Sequence, residues 1–417
     1  MLKKIIALTM AVLLAVLLIG CTEKPGNTDE PPKAGYINNK GQTVALSLHA
    51  TDENILYSTE YNKLYTEANN GFAITMANAF DKGWTGVFSP LSLQIALQIL
   101  ANGGDEETAQ ELLNTVCPGL TREDVNASAA NLISKLLKSE GVTMNSAVVV
   151  NNAYQLSEKF ANTAADYYRS SVGALDFSNP AKATKEINKW ISENTGGLIK
   201  ELLDTLPANT AIVLLNTLLL KLNWEKPFVT MREATEFHGS KGDKMISMLT
   251  ATNTYGYSKC EQGQLVIVPY EGGEYNMAVI LPAEGVSPAE AVAAMLGTFD
   301  DCQPATIKLS MPHVEINSKH DILEMAAKLN LEAGLHGGYP GLIDEGNVEI
   351  TKVLQGASLS VTESGTTAAA ATAIVGTKNA GFSKVEAEVI CDRPYAMVIY
   401  NVETSTVLFV SIVSDVD

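Results

Sequence analysis

Apolar residues at Leu64, Ala68, Phe72, Met76 and Phe80 recur every four positions, a spacing that places them on one face of an α-helix. Ser89-Pro90-Leu91-Ser92 then sets a hydroxyl cap ahead of a proline, the order that opens a helix, and Gly103-Gly104 stops it after Leu100. Asp105-Glu106-Glu107-Thr108 starts another helix. Residues 147–150 read as strand and 182–203 as helix, whereas the apolar run 211–224 cannot be typed by periodicity. Inside that run Asn216, Asn223 and Trp224 carry polar groups that need partners if buried. Two hairpins are legible: 265–269 with 275–281 around Gly272-Gly273, and 395–400 with 406–412 around 401–405. With no internal repeat and no compositional break after residue 60, the pattern predicts one α+β domain of about 350 residues.

One stretch fits none of these elements. Glu363-Ser364-Gly365-Thr366-Thr367-Ala368-Ala369-Ala370-Ala371-Thr372 contains four alanines, the best helix formers. Val361, Thr362, Thr366, Thr367, Thr372, Ile374 and Val375 around them favour strand. The conflict points to a segment used in two conformations.

The amino terminus carries Lys3 and Lys4 followed by an apolar run from Ile5 to Gly20, the charged start and apolar middle of a secretory signal. The run is too short to favour a spanning helix. It ends in Leu18-Ile19-Gly20-Cys21, which resembles the bacterial lipobox, where the cysteine is lipidated and becomes the new terminus. Residues 1–21 are therefore expected to be a lipoprotein signal, with attachment at Cys21 to the cell envelope, in the outer membrane or at the cell surface. Residues 22–56 are polar and proline-rich and are expected to form a disordered tether, with the folded domain at 57–417.

A formal charge of −18 argues against a phosphate-binding surface, so nucleic acid is excluded as a partner. The five cysteines, Cys21, Cys117, Cys260, Cys302 and Cys391, include no Cys-x-x-Cys pair, and the five histidines form no zinc motif. No nucleophile elbow or phosphate loop occurs. Neither metal nor cofactor is expected, and an enzyme has little support beyond a dispersed hydrolase triad, which sequence order cannot reveal.

The 363–372 stretch closely resembles the amino-terminal part of the reactive-centre loop of serpins, and the resemblance extends over nearly the whole chain from about residue 60. Phe88-Ser89-Pro90-Leu91-Ser92 is similar to the start of that family's helix B. Phe177-Ser178-Asn179-Pro180 and the run from Ile187-Asn188-Lys189-Trp190 to Gly196-Gly197-Leu198-Ile199 are similar to helix F and its connection to sheet A. Leu215-Asn216 and Asn223-Trp224-Glu225-Lys226-Pro227-Phe228 resemble the third strand of sheet A and the turn after it. Pro269-Tyr270-Glu271-Gly272, Ile280-Leu281-Pro282, Asp392-Arg393-Pro394-Tyr395 and Val407-Leu408-Phe409 complete the set in family order.

The resemblance implies the α+β serpin fold, about nine helices around three β-sheets, with a large central sheet A and an exposed reactive-centre loop at about 363–391. It implies a monomeric, metastable protease inhibitor and not an enzyme. The target endopeptidase cuts the loop, which inserts into sheet A before the acyl-enzyme is hydrolysed. A strand entering between two others must bury alternate side chains and pair its backbone, so small residues suit it. Gly365 is expected to act as the pivot and Thr366 to enter first, with Ala368 and Ala370 on the same face. No bulky, charged or proline residue lies between Gly365 and Ala373, which favours inhibition over a non-inhibitory surface protein whose loop is merely cut.

Counting the family's spacing from Glu363 places the cut at Asn379-Ala380, with Lys378-Asn379 as the alternative. The lysine would select trypsin-like enzymes, whose pocket holds a carboxylate; the asparagine would select elastase-like, subtilisin-like or asparaginyl cysteine proteases. Under sheet A the family's shutter maps to Ser89, Ser92, Asn216 and the strand holding Gln355, with Trp224 above it at the breach. Gln355-Gly356 replaces the usual His-Lys. Glutamine still donates and accepts, so the shutter is expected to be rewired, satisfied and without a histidine's pH sensitivity.

Overall fold

The computed structural model describes residues 35–37, 43–45, 59–206, 210–344, 346–366 and 384–416. All of them belong to one unit, Ala34–Asp417. Among the described residues there are nine helices and three sheets, two of nine strands and one of two.

The helix Thr59–Ala79 carries the predicted stripe inward through Phe72 and Met76, although Leu64 is exposed. The helix Pro90–Ala101 begins as its sequence dictates. Ser89 accepts a hydrogen bond from the Ser92 amide at 3.1 Å, Pro90 fills the first helical position, and all twelve residues are buried. A helix buried on every side is a core helix, and this one, whose polar Ser92, Gln94 and Gln98 are buried too, lies beneath the first nine-stranded sheet, where Ser92 meets Asn216. Asp105 caps the next helix, Glu106–Val116, through the Thr108 amide at 2.9 Å.

The untyped run resolves as the strand Ile212–Leu220, buried at every position, which explains why it shows no alternation. It pairs antiparallel with Val142–Asn151 and parallel with Ile350–Val361, so it lies at the centre of the sheet. Ile350–Val361 also pairs with Val314–Asp321. Both predicted hairpins form, as Gly263–Pro269 with Tyr275–Pro282 and Tyr395–Asn401 with Val407–Val413, neighbours in the second nine-stranded sheet.

Two expectations are corrected. The helix expected over 182–203 is Pro180–Asn194, because Gly196 and Gly197 take φ of +58° and +82° and turn the chain. The segment after the turn instead lays Ile199, Leu202 and Leu203 over Val213, Leu215 and Leu354 as a second apolar cluster on the sheet. Within the expected tether, Gly35–Ile37 and Thr43–Ala45 pair antiparallel, and Tyr36 pairs with Val172 on the strand Ser171–Leu175, so Thr43–Ala45 forms the edge of the sheet. That part of 22–56 is therefore ordered as strand, outside the domain boundary expected at 57.

Candidate functional site

Trp224 organises the head of the central sheet. Its indole lies on the Tyr270 ring, centroids 4.5 Å apart with the planes 13° from parallel, and Phe228 meets it edge-on at 5.6 Å. The indole Nε1 donates to the Thr362 carbonyl at 2.9 Å, and the Trp224 amide donates to the Ser364 carbonyl at 2.9 Å. The Phe228 amide donates to the Glu363 carbonyl at 2.8 Å, and the Thr230 hydroxyl donates to the Glu363 carboxylate. That donation holds the Glu363 carboxyl below its ordinary range. Residues 362–364 are thus tied at three successive positions, and the chain leaves them in a fixed direction.

The next two residues are already strand. Thr366 pairs with Val361 on one side and Leu222 on the other, and Gly365 pairs with Asn223. Thr366 is 0% exposed, and its hydroxyl meets the Tyr270 hydroxyl at 2.5 Å. Burial pushes the Tyr270 phenol well up, so it stays protonated and keeps that bond. Thr366, expected to be the first residue to enter on cleavage, is in place beforehand. Gly365 does not occupy the positive-φ region. A Cβ there would lie 2.0 Å from the Leu222 carbonyl oxygen, so in this conformation glycine is needed for close approach between strands. The remaining hinge positions, Thr367, Ala368, Ala369, Ala370, Ala371 and Thr372, lie outside the described residues, as do Lys378, Asn379, Ala380 and Cys21.

Lower in the sheet, Gln355 lies opposite Asn216 and is 1% exposed. Its amide Nε2 donates to the Ser89 carbonyl at 2.7 Å and its Oε1 accepts from the Ser89 amide at 3.1 Å. Ser92 Oγ donates to Asn216 Oδ1 at 2.7 Å. The expectation of a satisfied shutter holds for Gln355 and fails for Asn216, whose buried Nδ2 has no partner among the described residues. A histidine is also present after all. His320, in register with Gln355 on the neighbouring strand, is buried against the rings of Phe80 and Trp84, and its Nε2 donates to the Val87 carbonyl at 2.8 Å. The expectation of a shutter without a histidine's pH sensitivity concerns Gln355 alone and does not reckon with His320 one strand away.

Sequence reading quoted Tyr270 as part of a motif and missed its role, because its partner Thr366 lies 96 residues away. His320 was missed for the same reason: its strand gives no local sign of pairing with Gln355. Among the described residues, no group of three His, Cys, Asp or Glu side chains could hold a metal ion, and Cys117, Cys260, Cys302 and Cys391 are free thiols.

Comparison with known proteins places this geometry. Residues 67–416 match the model of the family described as serpin (serine protease inhibitor). An uncharacterised serpin-like protein of Thermococcus kodakarensis is 29% identical over 337 residues, which cover 77% of this chain and 78% of that protein. An antitrypsin of Bombyx mori is 28% identical over 340 residues, covering 77% and 82% of the two chains. Among solved structures, the thermophilic serpin tengpin in its native state superposes with a TM-score of 0.77 at 22% identity, over 87% of this chain and 95% of that one. Human glycosylated kallistatin gives 0.74 at 22% identity, over 85% and 98%.

Proposed function

The chain belongs to the serpin family, and from that premise we propose that it is a suicide-type inhibitor of endopeptidases, serine-type first and cysteine-type second. The observation that carries this reading is the position of Gly365 and Thr366, seated as the first rung of a strand between Val361 and Leu222 with only alanine and threonine in the seven residues after them. The target's nucleophile attacks the carbonyl carbon of Asn379, or of Lys378. The peptide C–N bond breaks, the residue that follows leaves as an amine with the nucleophile's proton, and an ester or thioester remains. The freed loop then extends the strand begun at Thr366, and the enzyme bound to its end is carried away and deformed before water completes hydrolysis.

Incubation of the chain from residue 22 with trypsin-like, elastase-like and subtilisin-like proteases tests this. A complex that survives boiling in detergent is expected with at least one of them, and mass spectrometry of the released carboxyl-terminal peptide identifies the bond. Cleavage by all of them without such a complex would leave the chain a serpin-fold protein cut as a plain substrate.

We further propose that the chain is secreted, cleaved before Cys21 and lipid-anchored there in the cell envelope, acting as a monomer. The lipobox-like Leu18-Ile19-Gly20-Cys21 supports this. The mass of the mature amino terminus decides it: an acylated Cys21 is expected, and an unmodified one contradicts the anchor.

A further inference from the structure

The first nine-stranded sheet has two flanks, and they are finished in different ways. On one, Val314–Asp321 pairs with Ile350–Val361 alone among the described residues, and its exposed Glu315 and Lys319 put charge along the free edge. Charge on an edge strand discourages the addition of a foreign strand. On the other flank, Ser171–Leu175 pairs with Val142–Asn151 at all five of its positions and reads Ser-Val-Gly-Ala-Leu, without charge or proline. Left bare, such a strand presents a row of backbone donors and acceptors to any extended chain.

It is not bare. Gly35–Ile37 runs parallel beside it with Tyr36 opposite Val172, and Thr43–Ala45 pairs antiparallel with Gly35–Ile37 at three positions. The sheet therefore ends on a strand of three residues, and a very short edge strand is another way to blunt an edge. One flank is protected by its own charges, whereas the other borrows its protection from the polar segment ahead of the helix Thr59–Ala79. With Tyr36 and Val172 matched at a single position, so short a ladder can open without disturbing the strands inside it.

We propose that the Ser171–Leu175 edge is a receptor for one extended strand running parallel to it, filled in the resting protein by this chain's own residues 35–37, which close the sheet to further strand addition. Recognition runs through the main chain, so it depends on an unbroken row of N–H and C=O groups more than on side-chain identity. Neither strand includes a loop residue, so the cover acts whether or not the loop traps a protease.

Amide hydrogen exchange, read by mass spectrometry on the uncut chain from residue 22 at a concentration where light scattering shows a monomer, tests this with Tyr36→Pro. Proline removes the N–H at the pairing position and is not accommodated inside a sheet. Thr28→Pro, ahead of the strand, is the control. Exchange in fragments spanning 171–175 should rise at least about tenfold in Tyr36→Pro and stay at the wild-type level in Thr28→Pro, with 142–151 unchanged in both. A synthetic peptide of residues 34–46, supplied at about the millimolar concentration that a covalent link provides, should restore protection to Tyr36→Pro. The same peptide carrying Tyr36→Pro should not. Unchanged exchange at 171–175, or an equal rise in Thr28→Pro, would overturn the cover. A rise shared by 142–151 would also overturn it, because residues 35–37 would then support the whole sheet and not its edge. Protection restored by both peptides or by neither would refute recognition through the strand backbone.

Discussion

Replacing Thr366 by arginine should turn the proposed inhibitor into a substrate. Thr366 is 0% exposed between Leu222 and Val361, with its hydroxyl against Tyr270. Nothing at that rung can pair a guanidinium, and an unpaired buried charge costs several kcal/mol even after relaxation. An arginine is expected to leave this rung in the uncut protein, where threonine is already seated, and insertion must then seat position 366 again before any deeper residue, so the penalty falls on the step that competes with hydrolysis. At about 1.4 kcal/mol per tenfold in rate, insertion slows by roughly 100-fold or more. Hydrolysis of the acyl-enzyme then wins. The measurement is the number of inhibitor molecules consumed per protease trapped, which should rise steeply for Thr366→Arg and stay near the wild-type value for Thr366→Ser, which keeps the hydroxyl. Trapping undiminished by the arginine would mean that insertion does not require position 366 to be buried at this rung.

The native form should lose stability on acidification, through His320. The imidazole is buried, so its pKa is lowered, with the Nε2 bond to the Val87 carbonyl opposing the shift. A base whose folded pKa lies below its unfolded value of about 6.5 contributes its full stability above that pH. As pH falls from about 6.5 toward the lower folded value, the unfolded chain takes up a proton that the folded one refuses, and stability is lost across that window. The neighbours within reach are the rings of Phe80 and Trp84, with the Lys352–Asp321 ion pair at the end of the same strand pairing. His320→Gln keeps a donor for Val87 and removes the titration. The midpoint difference between wild type and variant should therefore narrow as pH falls through this window, read by thermal unfolding from neutral pH to about pH 5. A difference independent of pH would show that His320 does not titrate there.

How far the sequence could be read depended on whether a residue's partner was near it in the chain. Ser89-Pro90 and Asp105 announce helix starts because capping is settled within three residues, and both caps are where they were expected. The run 211–224 could not be typed because a strand buried on both faces has no alternation to show, and only its pairing with Val142–Asn151 and Ile350–Val361 makes it the centre of the sheet. The small-residue run after Gly365 was visible as a conflict between helix and strand preference. That its first rung is already formed was not, because it depends on Tyr270, Trp224 and Leu222, more than ninety residues away. Gln355 was recognised as a departure, and its Ser89 partner was among the residues named beside it. The Nδ2 of Asn216, without a partner among the described residues, and the nearby His320 follow from which strands neighbour one another, and no local pattern encodes that.

The central claim is that the sheet in which Thr366 is seated can take the rest of the loop as a complete strand. It is tested most directly by the guanidinium chloride unfolding midpoint of the chain before and after a single cut within 377–380. The account predicts a large rise on cutting, because a strand paired on both sides is added to the sheet. An unchanged or lower midpoint would contradict it.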